Sequence, residues 1–107
     1  MVECVCINDR ERPAQIPEQD WIKEKEKYHI THVYIMKNQK GIQGVDIWEK
    51  PLSETNAPYL HFRANRFGVH EKDLQALMEL IKNCNDLNDL DLTEIKELLE
   101  SDLLVHL

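Results

Sequence analysis

Apolar runs long enough to cross a membrane are missing from this 107-residue sequence. None approaches the ~18 residues that a membrane span requires. The N-terminus has no basic stretch followed by an apolar one, so no secretory signal is expected. Serine is nearly absent. Ser53 lies in a loop-like stretch and Ser101 in a helical one, and neither sits on a nucleophile elbow or beside a glycine-rich oxyanion loop. Glycine is confined to Gly41, Gly44 and Gly68, which excludes the glycine pattern that cradles phosphates. Cysteine stops at three, with no Cys-x-x-Cys. An odd, sparse set argues against a disulfide scaffold and for a reducing, cytoplasmic setting. With these signatures missing, the expectation is a non-enzymatic protein with no cofactor. A Cys–His pair assembled in space stays open, because such pairs do not show along a chain.

What is present describes an ordinary globular chain, 42% apolar and 31% charged. Its length suits one domain, residues 1–107, with one modest core. The net charge of −7 is placed unevenly. Residues 1–67 carry 10 basic and 10 acidic side chains, whereas residues 68–107 carry 3 and 10. The acidic excess disfavours direct contact with nucleic acid. It suits solubility or a basic partner.

Composition also changes at Gly68, beyond which there is neither glycine nor proline. Residues 2–7 are β-branched enough for a strand. A loop with Pro13 and Pro17 follows. Tyr28 to Met36 reads as a second strand with a slip in its apolar phase, since Tyr28 and Ile30 share one face while Val33 and Ile35 share the other. A β-bulge near Thr31 reconciles them. The turn at 38–41 and the strand of Val45 and Ile47 complete a hairpin. A second loop and a short strand holding Tyr59 and Phe62 lead to Arg66-Phe67. Beyond Gly68, Leu74, Leu77, Met78 and Ile81 form one helical stripe beginning at His70 or Glu71. A second helix is expected from Asp91, where Asp91 and Glu94 have capping-box spacing and Ile95, Leu98, Leu99 and Leu103 make the apolar face. The expected fold is therefore α+β: a bent antiparallel sheet or small barrel over residues 1–67, then an acidic two-helix hairpin over residues 68–107.

Several short patterns point further. Cys6-Ile7-Asn8-Asp9 closes the first strand, and Lys27-Tyr28-His29-Ile30 opens the second. A glycine-containing hairpin follows, Arg66-Phe67 ends the sheet, and Pro13-x-x-Ile16-Pro17 precedes Trp21. Through these, residues 4–67 resemble a group of small SH3-like β-barrel proteins from bacteria and their mobile elements. The resemblance implies an SH3-like barrel, and barrels of this kind commonly serve as binding modules. Members of the group usually place glycine before the tyrosine strand, where this chain has Glu24-Lys25-Glu26-Lys27. The pattern contains no catalytic motif.

Four groups of side chains are candidates for a site. Aromatic residues on such a barrel can line a groove for an extended peptide, and Trp21, Trp48 and Tyr34 are the candidates here, the two tryptophans being expected to be partly exposed. Arg63 and Arg66 are expected to pair with the acidic helices, or to bind an anion. Cys4 and Cys6 share a face of the first strand and with His29 and His61 would form a soft-metal site; core packing of two small apolar side chains is the competing reading and is preferred. The acidic frame Asp89-x-Asp91-x-Thr93 resembles a calcium loop but has Glu94 where that loop needs glycine. The resulting expectation is a protein-interaction module whose partner is another protein or a second copy, with no direct nucleic acid and no membrane. A metal-binding protein and an acidic inhibitor mimicking nucleic acid are the alternatives.

Overall fold

Alternation along the chain sets the first strand. The computed structural model describes residues 1–35 and 42–85. In it β1 (Val2–Cys6) turns Val2, Cys4 and Cys6 into the core and leaves Glu3 and Val5 half-buried. β2 (Lys27–Ile35) pairs with β1 on one side and with β3 (Ile42–Ile47) on the other, both antiparallel. The register of β2 against β3 shifts between Ile30 and His32, which is the expected bulge. It lets Tyr28 and Ile30 before it, and Val33 after it, all enter the core.

The last strand closes the sheet. β4 (Phe67–Gly68) pairs with the free side of β1, giving the order β3-β2-β1-β4. Only five residues earlier, Phe62 bridges to Val45 at the free edge of β3, exchanging backbone hydrogen bonds of 2.8 and 3.0 Å. In a flat sheet Phe62 and Phe67 would stand four strand spacings apart, roughly 19 Å. The intervening chain includes a 3-10 turn at Ala64–Arg66, whose short rise leaves a reach of only about 13 Å. The sheet must therefore curl, and it forms a half-barrel. Gly44 makes the closure possible, because a Cβ there would stand 3.0 Å from both the Phe62 carbonyl oxygen and the His61 Cβ.

The helical stripe forms as expected. A 3-10 turn at Glu71–Asp73 leads into α1 (Leu74–Asn85), which packs on β1 and β2. Its Leu77, Met78 and Ile81 join Val2, Cys4, Ile30, Val33 and Phe67 in one core. The expected second helix, the hairpin it would complete, and the acidic frame at 89–100 lie outside the described residues. Among the described residues no helix is long and apolar enough to cross a membrane.

The turn into β2 solves a problem visible in the sequence. Lys25 takes a left-handed backbone with φ of 74°. Its N–H donates to the Cys6 carbonyl at 2.7 Å, which fixes the turn against β1. A non-glycine residue there costs about 1–2 kcal/mol. Lys25→Gly is therefore expected to stabilise the fold by about 0.5–1 kcal/mol after glycine's larger unfolded-state entropy is subtracted. A urea melt with a raised midpoint and unchanged slope is the expected readout.

Candidate functional site

Residues 7–26 form a long first loop that lacks sheet pairing over most of its length, so its backbone groups need other partners. Side chains supply them. The Trp21 indole Nε1–H donates to the Asp9 carbonyl at 2.7 Å. Arg66 Nη1 donates to the Asn8 and Arg10 carbonyls at 3.2 and 2.7 Å. Asn56, in a capping box with Ser53, donates through Nδ2 to the Gln15 carbonyl at 3.1 Å. Two distant parts of the chain, 51–61 and 63–66, thus hold the loop in place. Glu11 takes a φ of 61° just after the Arg10 carbonyl that Arg66 grips.

Between this loop and the closing segment lies a cleft of about 260 Å³. Buried Ile16, Trp21 and Phe62 form its floor, with the Trp21 and Phe62 rings 5.7 Å apart. Pro13 adds apolar surface, and Tyr59, His61, Arg63 and Glu11 stand exposed at the rim. The Arg66 guanidinium lies 4.9 Å over the Trp21 ring, a cation–π contact. Burial and the neighbouring Arg63 charge both lower the Arg66 pKa. The volume falls below the roughly 300–1,000 Å³ of pockets that enclose a drug-sized molecule. It suits one or two side chains of an extended segment.

His61 heads a row of three mutually tilted rings. The His61 and Tyr34 centroids are 3.8 Å apart, and those of Tyr34 and His32 are 4.2 Å apart. Asp46 joins them, accepting from His61 Nδ1 at 2.8 Å and from the Tyr34 hydroxyl. A carboxylate acceptor requires the proton on Nδ1, so the neutral imidazole presents Nε2 as an acceptor. A separate pair, His29 and Glu49, meets at 2.7 Å and holds Glu49 ionised below its ordinary range despite burial that acts the other way.

The two opening cysteines are core residues. Cys4 and Cys6 are each 1% exposed and stand on the inner face of β1. His29 pairs with Glu3 in register, so it belongs to the opposite face, and His61 is held by Asp46. The four residues of the possible metal site are therefore not brought together. Among the described residues no group of three such side chains could hold a metal ion. Desolvation pushes the Cys4 thiol from 9.0 up to about 12 and raises Cys6 as well, so both stay protonated and poorly nucleophilic.

This burial has a sign that a pH series reads. Folded Cys4 keeps its proton at pH values where the unfolded thiol, near 9.0, has lost it. Its stabilising contribution is full below pH 9 and is lost as pH rises towards about 12. Tyr34 acts in the same direction above pH 10, pushed up to about 12 by desolvation and by its hydrogen bond to Asp46. Tm is expected to fall steadily from roughly pH 9 to pH 11, and less steeply in Cys4→Val.

The structure sorts the other sequence candidates. Trp21, Arg63 and Arg66 meet at the cleft. Trp21 is only 7% exposed, against the expectation of partial exposure, because its N–H finds a carbonyl inside the loop. Trp48 is 68% exposed, as expected, and does not line the cleft. Tyr34 reaches the site only through His61. Arg66 bonds to two loop carbonyls, and among the described residues neither arginine forms an ion pair; most of the acidic helical region with which both were expected to pair lies outside the described residues. Tyr59 and Glu11 were not legible as site residues, because nothing along the chain marks their convergence, and His61, a sequence candidate for the metal reading alone, lines the cleft instead. Comparison with protein-family models, with curated proteins and with solved structures finds no match for this chain.

Proposed function

We propose that this chain is a non-enzymatic protein-interaction module that seats an extended segment of a partner protein in the cleft between its first loop and its closing segment. The observation that carries the reading is the cleft itself, where a buried aromatic floor meets a guanidinium and a rim of Tyr59, His61 and Arg63. Tryptophan, tyrosine and arginine are the side chains in which interface energy concentrates. The floor is held by hydrogen bonds from across the chain, so little ordering is required on binding. We also read the half-barrel as SH3-like. The long loop after β1 and the 3-10 turn just before β4 support that reading, and such barrels are recurrent peptide binders.

Site-specific photo-crosslinking in cells tests the proposal. A photoreactive residue at position 59, on the cleft rim, is expected to give a discrete protein adduct that Arg63→Ala removes. The same group at position 72, which does not line the cleft, is expected to give none. Equal adducts from both positions, or none from either, would overturn the docking assignment.

A further inference from the structure

Resting on that docking site, we infer that its occupant is a segment of a foreign polypeptide carrying a carboxylate beside a large apolar side chain. The apolar group sits on Trp21 and Phe62, and the carboxylate is met by Arg63 and the Nε2 edge of His61.

Charge complementarity carries the inference. Arg63 stands close enough to Arg66 that, after burial, its charge lowers the Arg66 pKa. The carboxylates that act on Arg66, those of Glu11 and Asp9, do so at a distance, and among the described residues none is in ion-pair contact with either arginine. Arg66 spends Nη1 on the loop carbonyls. The Arg63 side chain is exposed at the rim and forms no hydrogen bond with another described residue. A planar guanidinium beside an aromatic floor is built to receive a carboxylate in a two-pronged contact. Glu11, the acid on the rim, disfavours a second negative charge on its side and so sets the direction in which the segment lies.

His61 adds a condition. Its Nδ1 is committed to Asp46, with Tyr34 stacked behind it and His32 behind Tyr34. Arg63, Arg66, Glu11 and Tyr59 are the other charged and titratable groups around the cleft. When the imidazole is neutral, Nε2 offers a lone pair to an incoming carboxylate and repels it. When it is protonated, Nε2–H donates. A protonated His61 therefore adds a donor for an acidic segment, with Nδ1 bonded to Asp46 in either state.

Selection of phage-displayed random peptides on the full chain tests this. The expected result is enrichment of Asp or Glu next to Leu, Met, Phe or Trp. Binding should weaken with added salt. Arg63→Ala should lower affinity about tenfold. Cleft-binding peptides without acidic residues, or with affinity indifferent to Arg63, overturn the carboxylate assignment and leave the docking reading standing. If no selected peptide blocks the position-59 adduct, both fall. A sedimentation experiment on the protein alone is expected to give a monomer. A dimer lost in Arg63→Ala overturns the foreign occupant, since the chain's own residues 86–107 are acidic and leucine-rich.

Discussion

Phe67→Ala is expected to lower stability by about 3–5 kcal/mol, enough to unfold much of the population if this domain lies in the usual 5–15 kcal/mol range at its lower end. Phe67 is fully buried at the point where β4 meets β1. Its ring stands edge-on to Tyr28 at 6.4 Å and to Phe62 at 6.0 Å. Tyr28 belongs to β2 and Phe62 to the segment that bridges β3, so this one side chain ties both edges of the curled sheet to its middle. Truncation removes the transfer free energy of the ring and leaves a cavity that paired backbone on both sides prevents from collapsing. Phe67→Leu should cost less, about 1–1.5 kcal/mol, because most of the volume is kept. Chemical denaturation of the two variants checks the ranking. Equal, small losses would mean that the sheet closes without this contact.

Arg66→Met is expected to cost about 2–4 kcal/mol and to loosen the first loop selectively. Methionine keeps an unbranched apolar stem but loses the guanidinium over Trp21 and the two hydrogen bonds to the Asn8 and Arg10 carbonyls. Hydrogen bonds from a charged donor contribute about 1.5–3 kcal/mol each, and the freed carbonyls recover part of that from water. Arg66→Lys should recover only part of the loss. An ammonium keeps the charge but neither the planar stack on indole nor the fork that grips two carbonyls. Hydrogen exchange is the discriminating readout. Amides of residues 7–26 should lose protection in Arg66→Met while those of β1 and β2 change only with global stability. Uniform loss across the chain would make Arg66 an ordinary core residue.

The elements of this fold were legible to the extent that their periodicity was local. Leu74, Leu77, Met78 and Ile81 announce α1 because their spacing is helical whatever they pack against. The bulge near Thr31 was legible because Tyr28 and Val33 cannot both face inward along an unbroken strand, and both do. The carbonyl partners of Arg66 were not legible, because arginine is seldom buried and they lie 58 and 56 residues away along the chain. The same holds for His61. Its neighbours Tyr34 and Asp46 belong to two other strands, and the close approach depends on the missing side chain of Gly44. A sequence records which residues favour water or a core, but not which backbone carbonyls a long loop leaves unpaired. Those carbonyls decided the places of Trp21 and Arg66. The cysteines at the start of the chain are the simple case, since alternation alone placed both inside.

The two tryptophans provide the most direct test of the cleft. Trp21 lies on its floor with its indole N–H on the Asp9 carbonyl, and Trp48 is exposed away from it. Their indole N–H resonances can be followed separately by NMR while a selected acidic peptide is titrated into the labelled protein. The Trp21 resonance is expected to move and saturate while Trp48 stays still, and Arg63→Ala to shift the titration to higher concentration. Movement of Trp48 with Trp21 unchanged would place binding on another surface and contradict the cleft assignment.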